Sequence, residues 1–330
     1  MVVPIIDRIS TPPEAVAPNP LKKGDLVRFV SPASTPDRSE VEAGAAVLEA
    51  WGFEVDFGEH AFEKANYLAG TDEQRLSDLN AAIRDPQVRA IFATRGGKGS
   101  YRIADQLDFA CMRADPKFVV GFSDITILHL SLLNAGIGGA VHGAIRGDER
   151  DWQSLDGTTS LRDILTGTGS TILKSSASEP TFALTTTGVA HGRLVGGNLD
   201  MVTASAGWAL PKLYGCILLL EAVNMFLGQV DRQLTMLRKA GHLNGVTGVA
   251  LGQFTDFKPS GSLTIVDLLR EHLTPLGVPI LGGLPLGHGE SAACVPTGLE
   301  TTIDCSRGEM RVVGAPTWAV TNEFHRNPGG

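Results

Sequence analysis

The residues best suited to chemistry are a serine, an acid and a histidine that lie far apart in the chain. Ser123 sits in VVGFSDIT (119–126), between an apolar run that reads as a buried strand and one that reads as a helix. Gly121 lies two residues before it. A tight turn of this kind exposes a hydroxyl, and the amides that follow it at a helix N-terminus can stabilise an oxyanion. The second glycine of GxSxG is absent, and the same residues also fit a plain N-cap by Ser123 or Asp124. TRGGKGSY (94–101) is a second loop at a strand end. Its adjacent glycines let backbone come close to a ligand and point N–H groups at it. It fits neither GxGxxG nor GxxxxGK[ST], so it reads as an oxyanion or substrate loop rather than a nucleotide fingerprint.

A serine nucleophile needs a base, and the base needs an orienting group. Among the eight histidines, His129 falls inside an apolar helix and reads as packing, while His242 and His272 near helix ends read as surface. His288, in LPLGHGES, is flanked by glycines after a buried run, which suits an exposed and oriented imidazole. His142, in AVHGAIRG, ends a strand and could line the same rim. Glu221 closes LLLE (218–221), an acid at the mouth of a buried strand, where a carboxylate needs a partner. A structural salt bridge is the other reading of Glu221.

The elements that would position these residues alternate. Strands are expected at 26–34, 53–58, 88–97, 117–124 and 140–145. Helices are expected at 39–52, 71–86 (N-capped by Thr71), 101–109 and 125–136. Strand–helix alternation implies a parallel α/β sheet covered on both faces, with ligands at the carboxyl ends of its strands. The loops at 31–36, 94–100, 121–124 and 141–147 would share that rim. Residues 151–190 change to Thr, Ser and Gly, with one short helix near 160–166 and then a linker or crossing strands. The expected organisation is an N-terminal arm (1–20), an α/β domain (21–165), a linker (166–184) and a smaller β-rich C-terminal domain (185–330), with helices at 228–240 and 264–273.

Composition narrows the function classes. Hydrophobic residues make up 43% and charged residues 19%, which excludes a disordered chain. Glycine is 39 of 330 residues, roughly 12% against a usual ~7%, with no collagen period. The net charge of −8 and the 6% of aromatic residues argue against nucleic acid and anionic membranes as partners. The longest apolar runs fall far short of the ~20 residues of a membrane span. The four cysteines form no CxxC pair, so neither a metal nor another cofactor is expected, and each reads as a small buried hydrophobe. With no signal peptide pattern, a cytoplasmic location follows.

Several segments, in order, resemble the LD-carboxypeptidases and the related microcin-immunity peptidases. They are LKKGDLVRFVSPAS, RGGKG, GFSDIT, VHG, GRLVGGNLDMV, LLLEAV, VDRQLTML and LGHG, and the resemblance runs from about Leu21 nearly to the end of the chain. It implies a serine peptidase with Ser123 as nucleophile, His288 as base and Glu221 as the residue holding the imidazole. The oxyanion hole would come from the backbone amides of Asp124 and of Gly96 or Gly97. It also implies an active site between the two domains, a homodimer and no metal. The implied reaction releases a C-terminal D-amino acid from a murein tetrapeptide by cutting an L,D-amide bond. The microcin-immunity relatives instead cleave aminoacyl-nucleotide mimics. A non-catalytic peptide- or sugar-binding module is the alternative of another class.

The chain departs from the family pattern at Lys98 (often aromatic), Ala144 (often Pro), Ala222 (often acidic) and the run NMFLGQ (224–229). These positions bear on specificity rather than hydrolysis. The scarcity of aromatics favours a peptide with a free carboxylate over a nucleotide. Arg95, Lys98 and Arg146 are the candidate cations for that carboxylate, and His142 and Asn198 complete the expected substrate contacts.

Overall fold

The computed structural model of the chain describes residues 16–145, 161–167, 170–289 and 292–313. The first half alternates β1 (Leu26–Val30), α1 (Arg38–Ala50), β2 (Glu54–Phe57), α2 (Asp72–Arg84), β3 (Val88–Ala93), α3 (Phe109–Ala114), β4 (Phe118–Gly121), α4 (Thr126–Asn134), β5 (Ala140–His142) and α5 (Leu161–Thr166). The second half carries β6 (Thr171–Lys174), β7 (Val189–Asn198), α6 (Leu199–Ala204), β8 (Cys216–Val223), α7 (Leu227–Lys239), β9 (Gly248–Thr255), α8 (Ile265–Leu273), β10 (Ile280–Leu281), β11 (Val295–Pro296), β12 (Glu300–Asp304) and β13 (Glu309–Val312).

The first sheet has the order β11-β5-β4-β3-β1-β2. β1 to β5 run parallel, as their apolar runs between helices require, and β11 joins antiparallel from the far end of the chain. The order 2-1-3-4-5 places a switch point between β1 and β3, where the loops that follow the two strands diverge and leave a crevice. Those loops are the Ser/Pro turn and the Gly-rich loop. Two apolar clusters cover the faces of this sheet, one including Ile91, Val119 and Leu128, the other Phe29, Phe92 and Val120. α2 begins with a reciprocal capping box between Thr71 and Gln74, as its sequence predicts.

The second sheet has the order β10-β9-β8-β7-β12-β13-β6. Its parallel half (β7 to β10) presents the carboxyl ends of β7, β8 and β9 together, and β12, β13 and β6 extend it antiparallel. The stretch 166–184 is therefore more than a linker. It contains β6, which closes the sheet edge against β13, and a 3₁₀ segment at Pro180–Leu184. The helix expected at 101–109 is also displaced. Ser100–Arg102 forms one 3₁₀ turn, and α3 starts only after Asp108, whose side chain accepts from the Cys111 amide. This cap overrides the apolar spacing of the preceding residues.

α4 lies where the two cores meet. Thr126 to Leu132 are all buried, so only the C-terminal end of this helix reaches solvent. Ile127 and Leu128 belong to a first-domain cluster, while Leu130 belongs to the second-domain cluster of Val195, Leu199 and Leu220. His129 packs inside α4 as expected, with Nε2 3.0 Å from the Val119 carbonyl. His272 corrects its expectation. It is buried rather than surface, with Nε2 2.8 Å from Asp231.

Candidate active site

Ser123 occupies the turn between β4 and α4 with φ +61°, in the left-handed region. The other non-glycine residues with positive φ among the described residues are Asn66, Asn224 and Asp256, whose side chains tolerate that region. A serine held there signals local strain of the kind found at functional turns. Gly121 makes the turn possible, because a Cβ at this position would lie 2.6 Å from Ile125 Cγ2. Asp124 is anchored beneath. Its Oδ2 accepts from the Ser100 amide at 2.8 Å and from the Ser100 hydroxyl at 2.5 Å. Burial pushes its carboxyl pKa up against the lowering effect of those bonds. Its backbone amide lies in the 3₁₀ turn Ser123–Ile125 that leads into α4, where first-turn N–H groups lack intrahelical acceptors.

The Gly-rich loop packs directly on this turn. A Cβ on Gly96 would lie 2.9 Å from Ser123 Cβ and 3.3 Å from its Oγ. Gly97 has φ +108°, and a side chain there would overlap the Ser34 hydroxyl. Ser34 ties the two loops together. Its amide donates to the Gly96 carbonyl at 3.3 Å, and its hydroxyl accepts from the Lys98 amide at 3.1 Å. The buried Arg75 bonds the carbonyls of both Pro32 and Gly99. Gly96→Ala is expected to lower kcat/KM by about 10²-fold while shifting the melting temperature by only a few degrees. Steady-state kinetics beside a thermal melt checks this, and an unchanged kcat/KM would remove Gly96 from the site.

Glu221 and His288 meet at the carboxyl ends of β8 and β9. His288 Nδ1 donates to Glu221 Oε2 at 2.8 Å, and Asn198 Nδ2 donates to Glu221 Oε1 at 3.0 Å. Glu221 is fully buried, so both oxygens of a carboxylate removed from water are occupied. The β8–β9 register shifts at Glu221, a bulge that opens room for its side chain. Gly287, with φ +135°, allows backbone to approach, since a Cβ would lie 3.0 Å from Glu221 Oε2. Gln253 on β9 holds the other side of the histidine loop. Its Oε1 accepts from the Gly289 amide at 2.8 Å, and its Nε2 donates to Glu179 at 2.7 Å.

The serine turn and the histidine come together through Phe122. Its ring lies 4.8 Å from the His288 ring, centroid to centroid, and the Asn198 amide donates to Thr126 Oγ1 at 3.1 Å. The expected substrate contacts divide. Arg95 is exposed and lines a cavity of about 570 Å³ with Thr94, Gly96, Gly121 and Phe122. Lys98 is exposed, 3.9 Å from Asp200. Arg146 lies outside the described residues. Asn198 corrects its expectation, because it is buried with its amide group committed to Glu221. His142 does too, being fully buried rather than on the rim. Ser34, Phe122, Thr126 and Gln253 were not singled out from the sequence. Ser34 carries a signal in the Ser/Pro turn, whereas Gln253 carries none.

Burial lowers the pKa of His142 to about 3 and of His129 to about 4. Each is depressed below its unfolded value of ~6.5, so each takes up a proton on unfolding. Stability therefore rises with pH across this window and is lost as pH falls below ~6.5, at up to roughly 2–3 kcal/mol per pH unit for the two together. Urea midpoints at pH 7, 6 and 5 are expected to fall in that order, and a flat series would overturn the assignment.

Comparison with known proteins agrees with this architecture. Residues 27–143 match the LD-carboxypeptidase N-terminal domain family, and residues 191–303 match the LD-carboxypeptidase C-terminal domain family. The "Putative carboxypeptidase slr1534" of Synechocystis sp. is 36% identical over 91% of this chain and 98% of its own length. The murein tetrapeptide carboxypeptidase of Pseudomonas aeruginosa is 28% identical over 85% of this chain and 94% of its own. Among solved structures, MccF in complex with glutamyl sulfamoyl guanosine superposes with a TM-score of 0.79 at 22% identity, covering 91% of this chain and 98% of that one. The muramoyltetrapeptide carboxypeptidase from Oxalobacter formigenes gives a TM-score of 0.74 at 25% identity, covering 88% and 99%.

Proposed function

The chain belongs to the LD-carboxypeptidase family, and from that premise we propose that it is a serine carboxypeptidase that releases a C-terminal D-amino acid from a murein tetrapeptide. The observation that carries the reading is the strained Ser123 turn, whose Phe122 ring rests on the imidazole that Glu221 holds at 2.8 Å. Ser123 Oγ attacks the carbonyl carbon of the L,D-amide while His288 Nε2 takes its proton. The amides of Asp124 and of Gly96 or Gly97 receive the developing oxyanion. His288 then protonates the leaving amine, the C–N bond breaks, and an acyl-enzyme remains. Water attacks that ester, His288 takes the water proton, and Ser123 leaves with it. Glu221 keeps the Nδ1–H tautomer and stabilises the imidazolium. Ser123 comes from the first domain and the other two from the second, so the site lies at their junction. Reduced thiols at Cys111, Cys216 and Cys305 suit a cytoplasmic enzyme.

Arg95 is the proposed anchor of the terminal carboxylate, since it lines the cavity that also reaches Gly96 and Phe122. A charge-assisted hydrogen bond of ~1.5–3 kcal/mol predicts that Arg95→Ala raises KM for the tetrapeptide by about 10- to 100-fold with little change in kcat. An unchanged KM would exclude Arg95. The second reading, hydrolysis of an aminoacyl-nucleotide mimic, is favoured by the overlap with the MccF complex. Lys98 on the Gly-rich loop, where relatives often have an aromatic residue, disfavours it. Mass-spectrometric assay of free D-alanine from the murein tetrapeptide, run beside glutamyl sulfamoyl guanosine, tests both. Turnover of the tetrapeptide alone supports the first reading, and turnover of the nucleoside compound alone overturns it.

A further inference from the structure

His142 is a buried histidine with no visible employment. It ends β5, faces Gly121 in the β4–β5 register, and faces Val295 of β11 on its other side. It is fully buried, yet neither ring nitrogen has a hydrogen-bond partner among the described residues. Two orphaned buried nitrogens would cost ~1–3 kcal/mol each, so such groups in native proteins almost always meet a water. The ring is closely enclosed. A Cβ on Gly197 would lie 3.0 Å from its Nδ1, and the Phe122 ring meets it edge-on at 6.1 Å. Beside it is a recess of about 10 Å³ bordered by Phe122, His142, Gly143, Ala144, Gly287 and Ala292. That is the smallest room one water molecule needs, and Gly143, Ala144 and Gly287 bring main chain to its edge.

Phe122 is thus held between two imidazoles, edge-on to His142 and 4.8 Å from His288. We propose that His142 is a positioning residue: it holds one buried water in this recess and, through the Phe122 ring, fixes the plane of the His288 imidazole. The inference rests on the reading of His288 as the base. A neutral imidazole offers the water one donor and one acceptor. Burial disfavours the charged ring, so it is neutral near pH 7. The water links the end of β5 to the Gly287 backbone, and so ties the first sheet to the loop that carries His288.

The test compares His142→Leu with His142→Gln in the D-alanine release assay, with thermal melts and a high-resolution crystal structure of the native protein. His142→Leu is expected to lower kcat about 10- to 100-fold with KM within about twofold and no loss of melting temperature. His142→Gln, which keeps a donor and an acceptor, is expected to stay within about threefold of native kcat. Ordered water density in the recess is expected in the crystal. A native kcat in His142→Leu, a kcat loss that merely follows a fallen melting temperature, a His142→Gln as slow as His142→Leu, or an empty recess would each overturn the proposal. Ser123→Ala in the same assay separates the two readings. If it turns over normally, the active-site assignment fails; if it is dead while His142→Leu is native, only the role of His142 fails.

Discussion

Ser123→Ala is expected to lower kcat for tetrapeptide hydrolysis by about 10⁴- to 10⁶-fold, with KM and melting temperature near native. Removing the hydroxyl removes the only atom proposed to bond the substrate carbonyl. It leaves the oxyanion amides and the Arg95 cavity in place, so binding should survive. Stability should hold or rise slightly, since alanine loses no packed group and the turn is already fixed by Gly121 and by Asp124 on Ser100. Isothermal titration of the tetrapeptide into Ser123→Ala, beside the kinetics, gives a second reading. Tight binding with no turnover marks the nucleophile. If the native protein binds peptide without hydrolysing it, and Ser123→Ala binds equally, the chain is a peptide-binding module and Ser123 is a cap.

The first domain was legible because each of its parallel strands is a short apolar run bounded by helical spacing and turn residues, a local pattern. Ser123 was legible for the same reason: strand, Gly121, serine and helix are contiguous. What the sequence hides is pairing at a distance. β11 contributes only Val295 and Pro296 to the first sheet, and two residues have no period. β6, a four-residue run in a Ser/Thr-rich stretch, is too short to carry a period of its own and forms where β13 offers it an edge. Glu221 and His288 were each suspect locally, but their hydrogen bond spans 67 residues and depends on the bulge between β8 and β9. Asn198 is among the residues expected to contact substrate. It is instead the partner of Glu221, because β7 and β8 are parallel and place the two side by side. His142 departs from its expectation for a similar reason: a strand end is a rim only where nothing packs on it, and Gly197 at the end of β7 and the Phe122 ring enclose this one.

That side-by-side placement decides the outcome of the subtlest substitution at the site. Glu221→Gln keeps the size and shape of the side chain, yet kcat is expected to fall about 10⁴-fold, with KM near native. The carboxylate accepts twice, from His288 Nδ1 and from Asn198 Nδ2. A glutamine amide has one acceptor and one donor, so one of these contacts becomes donor against donor. If the amide NH₂ faces His288, Nδ1 must become the acceptor and the proton moves to Nε2, which then cannot receive the serine proton. If it faces Asn198, that side chain must flip to present its oxygen. The flip gives up its bond from the Asp200 amide at 3.2 Å, which caps α6. The flip preserves the tautomer but not the negative charge that stabilises the imidazolium. Either way the loss is chemical rather than structural, and circular dichroism should match the native protein. The two causes separate in Asn198→Asp/Glu221→Gln, where the new carboxylate accepts from the glutamine NH₂, remains an N-cap for α6, and leaves the glutamine oxygen for His288 Nδ1–H. At least tenfold recovery of kcat over Glu221→Gln is expected. No recovery would mean that the charge at position 221 itself, not the tautomer it enforces, is what the imidazole needs.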